Sequence, residues 1–359
     1  MKSMYQKINI ILVRAVVLTV IFLAGCTENT YDDMKGGNQE VVTVNISSRS
    51  IGTGGTDGVT MSSVRLIVLE TATTKHHVIL NRKYTDMTEN FTMELKSGAY
   101  ILVIVANETS EMEAELKNVK GQEDIEAVKV KPYFTEENIV LANCVQMDVT
   151  PVSGTDRGKI AVNGGAPTEA PEIALERVHA KVTLNVRKYT ADAGDKFTVK
   201  KVELCHIPQY SYLVGGKTYD GSAYNTKTLY NDATGKEFVD NVSESDYTAQ
   251  KDASYTNIVA GTGSGNIFPE YLLPIPDNAD VDKAVYLLIS AAYTKAGGSP
   301  LDVIYKVPVR KFPTNHNIDR NDNIIVSLTI TKPGDIDAVE IKYSVKAWDS
   351  DSLDVSIEQ

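Results

Sequence analysis

Five histidines, three cysteines and one Asp/Asn-rich run are the residues of this chain from which a metal or nucleophilic site could be built. His76 and His77 are adjacent, and neighbours on a strand point to opposite faces, so their imidazoles cannot readily share one ion. His179, His206 and His316 stand alone, without the Cys or carboxylate spacing of a ligand set. Asp319 to Asn323 reads DRNDN, like the start of a calcium loop, but Ile324 occupies the place of the turn glycine and Ile330 that of the closing glutamate. A turn entering a strand explains it better. Gly261 to Asn266, GTGSGN, has the glycine density of a phosphate cradle, yet no Lys-Ser/Thr pair or helix pattern follows. Val152 to Asp156, VSGTD, lacks the second half of a serine elbow. No nucleophile, base and orienting group come together, so the chain is expected to be no enzyme, with no catalytic residue, no metal and no cofactor.

One cysteine does suggest chemistry. The N-terminus carries Lys2, Lys7 and Arg14 ahead of an apolar run, Ala15 to Ala24, that is too short to span a bilayer. This is the pattern of a signal peptide over residues 1–25. It ends in Leu23-Ala24-Gly25-Cys26, the arrangement of a bacterial lipobox, whose cysteine sulfur takes a diacylglycerol. Acyl chains on Cys26 would hold the mature chain at an outer membrane, each buried methylene contributing about 0.8 kcal/mol. Residues 26–39 are a polar tether. Cys144 and Cys205 remain; a bridge between them would have to cross between two domains, and buried free thiols are the simpler expectation.

The elements that must position any site are strands. The 359 residues are 42% hydrophobic and 23% charged, enough apolar material for two domains. A net charge of -11 supplies no field for phosphates, which argues against a nucleic-acid partner. Period-2 alternation marks strands at SSVRLIVLET, at ENIVLANCVQMDVTPV, and as a pair about Lys96-Ser97-Gly98. Only SEMEAELKNVKGQEDIEAV looks helical. After a Gly- and Pro-rich crossing, LERVHAKVTLNVRKY and KFTVKKVELCHI open a second half. Pro208 to Gly265 reads as a long, weakly patterned loop rich in Tyr, Asn and Gly. Strands resume at PEYLLPIP, KAVYLLISAAYT, LDVIYKVPV, NIIVSLTIT and AVEIKYSVKAW. Many short strands predict an all-β chain of two β-sandwiches in tandem, over 40–174 and 175–359, with few short helices.

Several segments together resemble the FimA/Mfa-type fimbrillin family. They are LKSGAYILVIVANET; LERVHAKVTLNV, with Leu175, Arg177, Ala180, Lys181 and Val182; IDRNDNIIVSLTI, with Arg320, Asn321 and Ile325; and VKAW, ending at Trp348. With the lipobox, the resemblance spans nearly the whole chain. It implies two transthyretin-like β-sandwiches, export as a lipoprotein, cleavage by an Arg-specific protease, and polymerisation into type V pili by strand exchange between identical or related subunits. Arg49, followed by Ser50, sits where the cut would fall. A receptor on a host or bacterial surface would be the partner in adhesion. EYLLPIPDN only approximates the family's corresponding segment, and Pro208 to Gly265 matches nothing in it.

Elementary energetics bears on that implication. In residues 40–49, Val42, Val44 and Ile46 alternate with polar residues, and burying three such side chains is worth about 1.5 to 3 kcal/mol each. Removing this strand must leave an apolar groove with unpaired backbone, an edge that calls for a replacement. In the tail, residues 349–359, Leu353, Val355 and Ile357 repeat the i, i+2, i+4 spacing and could serve as the donor. An ordinary last strand within its own domain is the competing account of that tail. Arg65 lies in an apolar strand, whereas Arg49 precedes glycines and is the accessible arginine. Other roles remain open for the chain: an anchor or tip subunit, or a monomeric surface lipoprotein that binds a glycan or protein.

Overall fold

A computed structural model of the chain describes residues 40–48, 61–72, 76–85, 90–132, 139–150, 158–188, 190, 192, 194–215, 217, 219–238, 271–274, 284–309, 318–330, 339–347 and 355–357. The expected signal peptide and tether, GTGSGN, VSGTD and His316 lie outside them. Among the described residues the chain is all-β, with two short helices.

The first half is built around β1 (Glu40–Ser48), β2 (Val64–Glu70), β3 (Val78–Tyr84), β4 (Asn90–Leu95), β5 (Gly98–Ala106), β7 (Leu141–Val149), β8 (Ile160–Val162) and β9 (Glu172–Arg177). One layer runs β4-β1-β9 and the other β9-β7-β5-β2-β3, with β8 on β7. β9 belongs to both, since its start pairs with β1 and its end, Glu176 and Arg177, with β7. The layers close on Val42, Val44, Leu66, Val68, Phe91, Met93, Leu102, Ile104, Met147 and Ile173. β2 is buried along almost its whole length because its second face is covered as well. Helices α1 (Ser110–Leu116) and α2 (Gln122–Ala127) lay Met112, Leu116 and Ile125 against Ile67, Leu69, Val103 and Val105. The α1 start is fixed by Thr109, whose hydroxyl accepts from the Met112 N–H at 3.2 Å.

The second half holds β10 (His179–Lys188), β11 (Lys196–Pro208), β12 (Ser211–Tyr212), β13 (Tyr224–Phe238), β14 (Tyr271–Pro274), β15 (Tyr286–Thr294), β16 (Pro300–Pro308), β17 (Asp322–Ile330), β18 (Val339–Ala347) and β19 (Val355–Ile357). Their sheets run β14-β10-β17-β18-β19 and β13-β11-β15-β16. The core between them gathers alternate residues of β10 (Val182, Leu184), β11 (Phe197, Val202), β15 (Leu287, Ile289) and β17 (Val326, Leu328). Gln39–Gln359 form one compact unit. β6 (Lys129–Val130) of the first half pairs with β12 of the second, and Leu213 N–H donates to the Val128 carbonyl at 2.9 Å.

Five readings of the sequence change here. β4 and β5, read as a strand pair, lie in different layers: β4 pairs with β1, and β5 with β2 and β7. The chain turns the corner at Gly98, whose φ of 156° suits glycine, and Tyr100 Oη ties it by donating to the Lys96 carbonyl at 2.8 Å. The stretch read as a loop from Pro208 contains β12 and the fifteen-residue β13. β13 is an edge strand with one exposed face and three register shifts against β11, so its polar sequence carries little period-2 signal. Leu175 to Arg177, read as the entry to the second half, still belong to the first, and the crossing falls at Val178. His76 and His77 precede β3 instead of lying on a strand, His76 having a φ of 44°. Both described cysteines are free, but only Cys205 is buried. Cys144 shares a face of β7 with buried Ala142 but is itself exposed.

Candidate functional site: the groove that holds the first strand

β1 is an inner strand. It pairs antiparallel with β4 from Glu40↔Leu95 to Asn45↔Asn90, and parallel with β9 from Asn45↔Glu172 to Ser48↔Leu175. Val42 and Val44 are both 0% exposed, opposite Met93 and Phe91 in the ladder. Ile46 stands in register with Ile173. Beside the strand, Phe91 of β4 meets Tyr84 edge-on with ring centroids 5.0 Å apart. Withdrawal of β1 would leave β4 without its ladder partner from Asn90 to Leu95, and β9 without its partner from Glu172 to Leu175. The vacated groove would expose unpaired backbone of β4 along its first half and of β9 along its second, over the apolar core that Val42 and Val44 enter. Arg49 and Ser50, one and two residues past the end of β1, lie outside the described residues.

The tail meets a different partner. Val355 and Ile357 lie in β19, which pairs antiparallel with β18 through Val345↔Val355, Ser344↔Ser356 and Tyr343↔Ile357. β19 is the outermost strand of its sheet and three residues long. Within a single chain it is an ordinary last strand, paired on one side only among the described residues. Leu353 and Cys26 fall outside the described residues.

The residues that carry the family-like motifs meet at the junction of the sandwiches. Arg177 donates to Asn321 Oδ1 at 3.0 Å, and Arg320 donates to the carbonyls of Leu213 at 2.7 Å and Tyr212 at 2.6 Å. His179, fully buried, donates from Nε2 to the Lys131 carbonyl at 3.2 Å. Burial, opposed by that hydrogen bond and aided by the Arg320 charge, holds its pKa down to about 4. DRNDN is a turn entering a strand: Asn321 has a φ of 62°, and the Asp319 N–H donates to Asp322 Oδ2 at 2.6 Å. The sequence marked these positions but not their use, because hydrogen bonds to distant carbonyls leave no spacing signal.

Among the described residues no group of three or more His, Cys, Asp or Glu side chains is placed to hold a metal ion. His76 bonds Gln122, His179 is shut into the junction, and His206 stacks on Tyr224 at 5.3 Å between centroids.

No family model matches the sequence, and no curated protein matches it. Solved structures do. The tip fimbrial protein Mfa3 of Porphyromonas gingivalis superposes with a TM-score of 0.52 at 16% identity, over 87% of this chain and 100% of that one. A fimbrilin, FimA, of Porphyromonas gingivalis W83 gives 0.51 at 16% identity, over 86% and 97%. A candidate cell adhesion protein of Bacteroides eggerthii gives 0.54 at 14% identity, over 90% and 98%. With its tandem sandwiches, its inner first strand and these likenesses over almost the full length of each structure, the chain has the fold of the bacterial fimbrillins.

Proposed function

We propose that the chain is a structural pilus subunit of the fimbrillin type, polymerised by proteolytic removal of β1 and its replacement with a neighbour's tail. The observation that carries this reading is the position of β1: an inner strand with Val42 and Val44 fully buried, followed in the chain by the segment that begins at Arg49. An Arg-specific protease acting there frees the peptide, and the groove between β4 and β9 then accepts Leu353, Val355 and Ile357 of another subunit in the places of Val42, Val44 and Ile46. Groove and donor are different surfaces, so the contact is head-to-tail and extends as a filament. Cys26 carries the lipid that holds the precursor at the outer membrane, and adhesion to a host or bacterial surface is the outcome of assembly. The fimbrial and adhesion proteins that share the fold support the same role.

A second reading has its own support. In the single chain the tail is already paired with β18, as expected of a subunit that ends a fibre or anchors it.

The test is the N-terminus of assembled material together with the variant Arg49→Ala. Ser50 at the N-terminus, and a folded but unpolymerised variant, are the expected results. A lipidated Cys26 on material taken from fibres assigns the chain to an anchor, and normal fibres from Arg49→Ala remove the processing step.

A further inference from the structure

β16 forms one border of its sheet, paired on one side with β15 and on the other with no strand among the described residues. Its exposed face presents Asp302, Ile304 and Lys306, while Val303, Tyr305 and Val307 are buried in the core. Among the described residues, Ile304 at 64% and Leu301 at 55% are the exposed large hydrophobic side chains of the fold, and both lie on this one strand. The residue directly beside Ile304 on β15 is Ser290, so Ile304 has no apolar side chain directly opposite it in the ladder. A nine-residue regular border with an apolar centre is the kind of edge that pairs with another chain.

The sequence of the strand says which chain. Pro300 to Pro308 reads PLDVIYKVP, which is symmetric in chemistry about Ile304. Placed antiparallel against a second copy with the two Ile304 residues opposite each other, Asp302 faces Lys306 of the second copy, and Lys306 faces its Asp302. Leu301 faces Val307, Val303 faces Tyr305, and the prolines that end the ladder face each other. No other register does this. A shift that changes parity sets the solvent face of one sheet against the core face of the other, and centring on Asp302 or Lys306 opposes like charges.

We infer that β16 is a self-complementary edge through which two copies of this chain pair as a two-fold dimer, joining their β13-β11-β15-β16 sheets into one. The charges are available for it. Asp302 has a side chain 83% exposed and already holds Lys200 at 2.7 Å through one oxygen, which leaves the other for Lys306 of the partner copy. Lys306 lies over the Tyr286 ring, 4.3 Å from its centroid, which keeps the ammonium on the exposed face. Neither β1 nor the tail takes part, so the dimer is independent of strand exchange; in a fibre it would tie neighbouring filaments side by side.

Sedimentation of the intact Arg49→Ala chain in detergent, over a concentration series, tests this without a contribution from polymerisation. A monomer–dimer equilibrium is expected. Asp302→Lys and Lys306→Asp should each weaken it by about tenfold or more, because each places two like-charged pairs across the dyad. The double swap Asp302→Lys/Lys306→Asp should restore the equilibrium to within about threefold, and Ile304→Asp should abolish it. Since all three side chains are exposed, thermal unfolding of each variant should stay close to that of the parent, which separates lost pairing from lost folding. A monomer at every concentration, a dimer indifferent to either charge reversal, or a double swap as weak as the single changes would overturn the inference.

Discussion

At the scale of single residues, the junction between the sandwiches depends on a histidine that must stay neutral. His179 is held at a pKa of about 4 by burial, whereas an unfolded histidine titrates near its ordinary value of about 6.5. Between those values the unfolded chain binds a proton that the folded chain refuses, so the contribution is fully present above pH 6.5 and is lost as pH falls toward 4. The whole effect is worth about 3 kcal/mol. Denaturant titrations at pH 7 and pH 4.5 should show the difference, and His179→Gln, which can still donate to the Lys131 carbonyl but does not titrate, should lose less stability over that interval. The first sandwich buries a charged cluster of its own. Arg65 donates to both oxygens of Glu108 at 2.7 and 2.8 Å and to Asn81 at 2.8 Å, while Lys83 lies 3.1 Å from Glu108. Arg65→Met should cost about 3 to 5 kcal/mol in chemical denaturation, since it leaves the Glu108 carboxylate fully buried with one cationic partner where it had two.

At the scale of elements, the strands were legible where one face is apolar and hidden where it is not. β2, β5, β7, β10, β15 and β17 announce themselves because burial on one or both faces forces aliphatic residues into period 2 or continuous runs. β13 does not, since an exposed edge needs only backbone pairing and tolerates Asn, Asp, Thr and Gly along its length. Its one strict demand is Gly235: a Cβ there would come within 2.5 Å of Thr198 Cγ2 and 3.0 Å of the Val199 carbonyl, on backbone with a φ of 76°. Gly235→Ala should therefore lower stability by about 1 to 3 kcal/mol in thermal or denaturant unfolding, although the side chain added is the smallest available. The candidate groove was half legible. The alternation of Val42, Val44 and Ile46 predicts a strand with one buried face, but only the pairing with both β4 and β9 makes it an inner strand, and sequence carries no record of which distant strands flank it. If β1 is a separable element, a peptide of residues 40–48 should bind processed subunits, raise their unfolding temperature in a concentration-dependent way and stop their assembly. The same peptide with Val44→Asp should do none of these, because it would bury an unpaired carboxylate against Phe91 and Met93.

At the scale of the whole molecule, the two sandwiches divide the work that the proposed assembly requires. The first can lose a strand only if what remains is held without it. Its second layer is braced on the outer face by α1 and α2 and at the junction by β6, β12 and the Arg320 contacts, none of which involves β1. The second sandwich can give up its last strand because β19 pairs, among the described residues, with β18 alone, over three residue pairs, and lies at the border of its sheet. The proposed exchange would replace a ladder of three residue pairs with the longer one that β1 makes, six pairs with β4 followed by four with β9. Each ladder hydrogen bond contributes about 0.5 to 1.5 kcal/mol, so the gain favours the polymer once β1 has gone. Loss of residues 353–359 should leave folding and cleavage at Arg49 unaffected while removing the donor. In electron micrographs, such subunits mixed with intact ones should shorten fibres in proportion to their share, since each can accept a tail but cannot pass one on. Fibres of undiminished length, with the truncated chain present throughout them, would show that another segment fills the groove.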